Sequence, residues 1–486
     1  MPFDHFNSSD MRMFNNRFFV NDTYHVPGGP VILFDFGENG ITAETAAEHL
    51  AGASGVTSAP LELAKALNGL VIGWEHRYYG DSSPPGSFVA NGSSYFQFLT
   101  VEQALEDVVY FAHHFNTTQL SNNAVRNGPN DTALLGPSDT PWIFVGGSYP
   151  GDRAAWIRVR NPETIFASWA SSAPVQLGPD GAAYFNSIYR ALPKNCTSDI
   201  QAATKYVEAA FESDDSDSNL ELRIAAVPAS AVTGLLFNRD LISVQNSGYS
   251  EMLQIFCDSM ESFNYSQYLF DSATGDSNVT SSTVGSASST KSWLPHPGSD
   301  SNNDDGTSWA WQVVSELGRD LHFNSSSKLV LGPSVPDYSS SHAALINRFT
   351  SVHPTDNVPK SPDGSYANSL GGWNMKPSNT LFTNGEFDPW RAFGVMSPEQ
   401  DDLGAPQRTI SQEIPPCNTE QDEIFGLLFA GAVHIEDMAF FPNARRGSAE
   451  TEYPPVLQAS DLFVKAYKEW LPCFYQPEQA AQVKAP

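Results

Sequence analysis

Apolar and polar positions follow two rhythms along this chain. The run Val31-Ile32-Leu33-Phe34-Asp35-Phe36-Gly37 is rich in β-formers and ends in glycine, which predicts a buried strand. Leu70-Val71-Ile72-Gly73-Trp74 predicts a second. Between Thr100 and Phe115 the rhythm becomes helical: Val101, Ala104, Leu105, Val108, Val109 and Ala112 share one face, with Thr100 as N-cap and Gln103 completing a capping box. Trp142-Ile143-Phe144-Val145 reads as a strand, and Arg153 to Ile157 as the body of a helix that ends near Pro162. Strand alternating with helix predicts an α/β fold, a parallel sheet covered on both faces. From about 178 to 371 the pattern changes to helical stretches, around Ile200 to Phe211 and Trp309 to Leu317, separated by polar runs. This predicts a mostly helical domain (178–371) inserted between two parts of one body, 1–177 and 372–486. Within the insertion, Glu212 to Asn219 and Asp271 to Ser308 are Ser/Asp/Gly-rich, bury too little apolar surface to offset ordering entropy, and read as loops. Strand signals return at Thr380 to Thr383 and Arg408 to Ile410, and an amphipathic helix at Asp461 to Trp470 closes the chain. No internal repeats occur.

Composition narrows the function. A chain of 486 residues is too long for one growing core, so two are expected. A hydrophobic content of 41% excludes global disorder. The formal net charge of -29 and a pI near 4.5 exclude nucleic acid and anionic membrane as partners, since both are polyanions. Neutral or cationic partners remain. Acid would relieve the self-repulsion, so an acidic compartment suits this charge. The four cysteines, Cys196, Cys257, Cys417 and Cys473, lack metal-ligand spacing, and neither zinc nor any other metal or cofactor is expected. Asn-X-Ser/Thr sequons begin at Asn7, Asn21, Asn91, Asn116, Asn130, Asn195, Asn264, Asn278 and Asn324. Sequons and cysteines together point to an oxidising, glycosylating route, hence a secreted or vacuolar/lysosomal protein with two disulfides. Met1-Pro2-Phe3-Asp4-His5 has neither the basic start nor the apolar run of a signal peptide, and no stretch approaches a membrane span.

The chemistry concentrates at Trp142-Ile143-Phe144-Val145-Gly146-Gly147-Ser148-Tyr149-Pro150-Gly151. A buried strand running through glycines into serine and a helix is the layout of a nucleophile elbow. Pro150 departs from the usual glycine, but proline suits a first helical turn. A serine hydroxyl needs a histidine base, and the base needs a carboxylate to fix its tautomer. Asn384-Gly385-Glu386-Phe387-Asp388-Pro389-Trp390 follows a strand, which puts Asp388 at the sheet's carboxyl end. His434 is the only histidine after it. Ser148, Asp388 and His434 thus stand in α/β-hydrolase order, with Asp437 the first substitute should Asp388 not be the acid.

These residues carry a resemblance. Asp4-His5-Phe6-Asn7, Asn16 through Asp22, Glu75-His76-Arg77-Tyr78-Tyr79-Gly80-Asp81-Ser82, the Gly-Gly-Ser-Tyr elbow, Ser172-Ala173-Pro174, Gly385 through Trp390, and His434 with Asp437 resemble the serine peptidase family of prolyl carboxypeptidase, dipeptidyl peptidase II and the fungal acid prolyl endopeptidases. The resemblance runs in order through nearly the whole chain. It implies an α/β-hydrolase body with a helical cap inserted between its strands, peptide substrates, and Ser148, Asp388 and His434 as the triad. It also implies an oxyanion hole from the backbone N–H groups of Tyr149 and of the loop Gly37-Glu38-Asn39-Gly40, here Glu38. Trp390 would wall the pocket for the residue before the scissile bond. His76 and Arg77 read as groups packed behind a triad that is already complete.

Two departures qualify the transfer. Asp152 stands where prolyl-specific relatives carry an apolar or small residue; it either borders the substrate pocket or points outward along its helix, and the second reading is preferred. Val314 stands where a family segment has cysteine. Carboxypeptidase, dipeptidyl peptidase and endopeptidase action stay open, and a homodimer is compatible with the reading. The rivals are a secreted esterase-like hydrolase and an inactive binding protein of the same fold. Of three connectivities, Cys196–Cys257 and Cys417–Cys473 are expected, because each pair falls within one proposed domain.

Overall fold

The computed structural model describes residues 1–88, 94–116, 135–178, 181, 183–199, 245, 257, 305–318, 358–442 and 453–475. Ten strands occur among them: β1 (Phe18–Asn21), β2 (Val31–Asp35), β3 (Thr57–Ser58), β4 (Leu70–Trp74), β5 (Trp142–Gly147), β6 (Ala167–Ser171), β7 (Thr380–Gly385), β8 (Ile410–Ser411), β9 (Ile424–Phe429) and β10 (Ala439–Phe440). Eight of them form one sheet in the order β1-β4-β2-β5-β6-β7-β9-β8, in which β1 runs antiparallel to β4 and every other pairing is parallel. β3 and β10 make a separate two-stranded ribbon.

Both faces of this sheet are covered, and the strand sequences show why. Along β2 every residue is buried, and successive side chains point opposite ways. Val31 and Leu33 join a core with α3 (Val101–His114) and α4 (Tyr149–Arg160). Ile32 and Phe34 join another with α1 (Ala43–Ala51), α2 (Ala59–Leu67) and a long closing helix, Pro455–Tyr475. Among the described residues these two cores lie on the two faces of one sheet. The result is the expected α/β-hydrolase fold.

Local expectations mostly hold, with corrections. Thr100 caps α3 by accepting from Gln103 N, but the Gln103 side chain does not reach back. It is taken by the N-terminal segment instead, donating to Asp4 Oδ1 and accepting from His5 N. The stretch read as loop up to Ser308 already turns helical at Asp305, where α5 (Tyr184–Ala191) is followed, among described helices, by α6 (Asp305–Gln312) and a π-turn, Val313–Leu317. Val314, in place of the family cysteine, is fully buried. The helix expected around Ile200 to Phe211 and the acidic run Glu212 to Asn219 lie outside the described residues, as does most of Asp271 to Ser308. The structure joins Cys196 to Cys257 and Cys417 to Cys473. Among the described residues no helix is long and apolar enough to cross a membrane.

Among the sequons, Asn91, Asn130, Asn264, Asn278 and Asn324 lie outside the described residues. Asn7 and Asn195 are exposed and Asn116 is half-buried. Asn21 is different: its Nδ2 donates to Leu50 O at 2.6 Å, so modification there would forfeit a bond that ties β1 to α1.

Candidate active site

Because β5, β7 and β9 are parallel, their carboxyl ends lie along one edge of the sheet, where sites of open α/β sheets form. Ser148 follows β5 directly, Asp388 follows the end of β7, and His434 follows the end of β9. Topology alone brings residues from three distant parts of the sequence to that edge.

Ser148 stands at φ 67°, ψ -130°, a conformation that costs an L-residue roughly 1 to 3 kcal/mol and persists only where its surroundings impose it. Ser148 N–H is held by Ser171 O at 2.9 Å, at the end of β6. Gly147 cannot carry a side chain, since a Cβ would meet Met438 Cγ at 2.8 Å and Ile435 Cγ2 at 2.9 Å. The loop bearing His434 therefore packs directly on the elbow. Pro150 lies in the first turn of α4, as expected, and a Cβ on Gly37 would fall 2.3 Å from its ring. Proline is accommodated here because the residue packed against its ring is glycine.

His434 Nδ1 lies 2.9 Å from Asp388 Oδ1. Asp388 is fully buried, and its carboxylate also accepts Asn384 Nδ2 at 2.7 Å and Trp390 N–H at 2.9 Å. A carboxylate facing Nδ1 makes that nitrogen the donor, so Nε2 of the neutral ring carries the lone pair. Nε2 is buried and has no hydrogen-bond partner among the described residues. The histidine loop is pinned on either side: Val433 N–H donates to Glu436 Oε2 at 3.0 Å, His434 N–H to Gln245 O at 3.2 Å and Ile435 N–H to Ser172 Oγ at 3.0 Å. Ile435 has φ 53°, unusual for a β-branched residue, which shows how firmly the loop is constrained.

Asp437, the substitute acid, is used elsewhere. Its carboxylate accepts Ser171 Oγ at 2.6 Å, Thr383 Oγ1, and Trp169 Nε1 at 3.3 Å, so it ties β6 to β7. Burial pushes it above the ordinary range, against those hydrogen bonds.

Tyr149 N–H is the first amide of α4, beyond reach of any intrahelical carbonyl and at the positive end of the helix. In the facing loop the amides around Glu38 are taken by three carboxylates. Asp35 Oδ1 accepts Gly37 N–H at 3.0 Å, Asp305 Oδ2 accepts Gly40 N–H at 2.8 Å and Glu75 Oε1 accepts Ile41 N–H at 2.8 Å. Asp35 also pairs with Arg153 of α4; burial raises its carboxyl, and Arg153 only partly offsets this.

His76 and Arg77 do pack behind the elbow. The Nδ1 of His76 faces Arg77 O at 2.7 Å, so it must donate, and Nε2 accepts from Tyr149 OH at 3.0 Å. Burial, reinforced by Arg153, lowers the His76 pKa well below the usual value and keeps the ring neutral, as this tautomer requires. Gln312 Nε2 donates to the same Tyr149 oxygen at 2.9 Å, while its Oε1 accepts Tyr79 OH at 2.5 Å. Arg77 forms a two-pronged pair with Asp107 at 2.6 and 2.8 Å.

Trp390 is half-buried, edge-on to Tyr184 at 5.1 Å, and its Nε1 donates to Gln245 Oε1 at 3.0 Å. Tyr184 OH donates to the same oxygen at 2.9 Å. The preferred reading of Asp152 fails: the residue is 0% exposed, so it does not point outward to solvent along α4. Sequence reasoning missed Gln245, Asp305 and Gln312, whose partners lie far away in the chain. It also missed Asn384, whose spacing of four from Asp388 was visible.

Residues 1–406 match the family described as serine carboxypeptidase S28. Serine protease vicPb of Bipolaris victoriae (strain FI3) is similar to this chain at 26% identity over 520 aligned positions, covering 95% of this chain and 86% of that protein. The thymus-specific serine protease of Homo sapiens is 37% identical over 190 residues, 39% of this chain and 32% of that one. Lysosomal Pro-X carboxypeptidase of Homo sapiens is 32% identical over 172 residues, 35% of this chain and 30% of that one.

Proposed function

Because this chain belongs to the serine carboxypeptidase S28 family, and is accordingly a serine-type peptidase, we propose that it cleaves peptides after proline at acid pH, with Ser148 as nucleophile, His434 as general base and Asp388 as the orienting acid. The observation that carries the reading is the 2.9 Å bond between His434 Nδ1 and Asp388 Oδ1, which leaves Nε2 with its lone pair. In this mechanism Nε2 takes the Ser148 Oγ proton as the hydroxyl attacks the scissile carbonyl. Asp388, held by Asn384 and Trp390, fixes the tautomer and stabilises the imidazolium. The N–H groups of Tyr149 and Glu38 donate hydrogen bonds to the carbonyl oxygen as negative charge develops on it. His434 then protonates the leaving amine, and water, activated by the same nitrogen, releases the acyl group from Ser148.

The proline preference is supported by Trp390, whose flat face complements a compact ring without asking for hydrogen bonds, and by the similarity to a Pro-X carboxypeptidase. Acid action is supported by the net charge and by buried carboxyls, Asp35 and Asp437, that burial raises. The same family likeness, the sequons and the two disulfides favour a secreted or vacuolar/lysosomal, glycosylated protein in which 178–371 forms a cap over the cleft.

The test is a fluorophosphonate probe followed by a peptide library profiled by mass spectrometry at pH 4 to 6, on wild type, Ser148→Ala and Asp152→Ala. Ser148-dependent labelling and cleavage after proline by wild type are expected, and Asp152→Ala tests whether the buried carboxylate shares in that choice. Labelling that survives Ser148→Ala would overturn the nucleophile; a Lys or Arg preference that vanishes with Asp152→Ala would overturn the proline assignment.

A further inference from the structure

The chain between β6 and β7 touches the catalytic edge through α6. One face of that helix carries Asp305, Ser308, Trp309 and Gln312, spaced as neighbours on a helical surface. Each of the four meets a residue at the sheet's carboxyl edge. Asp305 divides its carboxylate between two loops: Oδ2 accepts Gly40 N–H at 2.8 Å and Oδ1 accepts Gly80 N–H at 2.9 Å. Ser308 Oγ donates to Tyr78 O at 2.7 Å. The Trp309 ring lies 5.8 Å from that of Tyr149, and Gln312 bridges Tyr149 OH and Tyr79 OH.

Resting on the reading of Tyr149 and Glu38 as oxyanion donors, we propose that Asp305 is a positioning residue for the oxyanion hole, setting the Glu38 loop against the elbow while Gln312 fixes Tyr149. The two donors come from separate segments, one after β2 and one after β5, so something must fix their separation. Asp35 and Glu75, which hold Gly37 and Ile41, belong to the sheet body. Asp305 is the anchor of this loop that comes from the chain between β6 and β7. The fit at its site is close: a Cβ on Gly40 would lie 2.7 Å from Gly80 Cα and 3.1 Å from Asp305 Oδ2. One carboxylate therefore sets how the two loops abut, and the same helix face fixes the side chain of the residue after the nucleophile. The consequence is that α6 contributes to turnover through the loops it holds.

The experiment is Asp305→Asn in the full chain. Asparagine keeps the shape but turns one acceptor into a donor facing an N–H group. A misplaced donor loop loses transition-state stabilisation and spares ground-state binding, so kcat should fall on the order of 10- to 100-fold with KM within about 3-fold. Affinity for a peptidyl boronate, whose boron accepts the serine oxygen to form a tetrahedral anion, should fall by a similar factor. Asp305→Glu, which keeps both carboxylate acceptors, should recover part of the loss and serves as the reading should Asp305→Asn not fold. A lowered Tm with kcat and boronate affinity intact would mean that Asp305 only holds structure, and a raised KM with kcat intact would mean that it serves binding; either overturns the proposal. Ser148-dependent fluorophosphonate labelling of wild type separates the two levels: its absence sinks the peptidase reading and this inference with it, while intact labelling beside an unaffected Asp305→Asn sinks this inference alone.

Discussion

His434 Nδ1 and Asp388 Oδ1 meet at 2.9 Å across two loops 46 residues apart, and the carboxylate that does not meet this histidine, Asp437, is only three positions beyond it in the chain. Nearness in sequence and nearness in space point to different acids. Asp388 presents a carboxylate already oriented by Asn384 and the Trp390 amide, whereas Asp437 turns to Ser171, Thr383 and Trp169.

That contrast predicts opposite phenotypes. Asp388→Asn should cost about 10⁴ in kcat with little change in Tm, because an amide favours the wrong imidazole tautomer. Asp437→Asn should lower Tm and leave the kcat of the folded fraction within about 10-fold, since it breaks a link between strands. Steady-state kinetics beside thermal melts checks both; a large kcat loss confined to Asp437→Asn would move the acid.

Asp107 is expected to matter for stability alone. Burial by itself would raise its carboxyl, but Arg77 and His5 hold it well below the ordinary value. Arg77 also donates to Pro2 O and Phe98 O, so the pair pins the N-terminal segment to the sheet body. Asp107→Asn strands a buried guanidinium and should cost roughly 3 to 5 kcal/mol in denaturant unfolding. Removing the exposed Lys65 of the Lys65–Glu62 pair should cost less than about 1 kcal/mol. Equal effects would contradict the distinction.

Glu316 gives the protein a pH dependence of predictable sign. Its carboxyl accepts Val101 N–H at 2.7 Å at the start of α3, and desolvation, with Asp363 and Glu102 nearby, pushes it from 4.5 up to about 8. Between those values the folded state holds a proton that the unfolded state has lost. This group therefore makes stability fall as pH rises from about 4.5 to about 8 and adds no slope outside that window. Glu316→Gln removes the titration, so Tm of the variant should exceed wild type at pH 8 and match it near pH 4. An unchanged difference in Tm across pH 4, 6 and 8 would exclude Glu316 as the source.

Much of this was legible in the residues. β2, β4, β5 and β7 announce themselves as apolar runs because both of their faces are buried, and Ser148, Asp388 and His434 follow from strand ends and chain order. β6 was not read, since Ala167-Ser168-Trp169-Ala170-Ser171 mixes small and polar residues whose burial depends on partners such as Asp437 and Thr380. β1 and β9 were also missed, the first being short and half-buried and the second interrupted by Gly426. The burial of Asp152 and the loop contacts of Asp305 depend on tertiary packing, which no local pattern encodes.

The adjacency of β6 and β7 also has a temporal side. Ser171 ends one strand and Thr380 begins its neighbour, so about 200 residues must leave the ribosome between them, on the order of 10 to 40 s at ordinary synthesis rates. Throughout that interval β5 and β6 exist with one sheet edge unpaired, and neither Asp388 nor His434 has been made. A nascent chain halted before residue 380 should consequently present a sticky edge and no hydrolytic competence. With the triad proposed for Ser148, Asp388 and His434, an unfinished chain therefore cannot cut itself or its neighbours on the polysome.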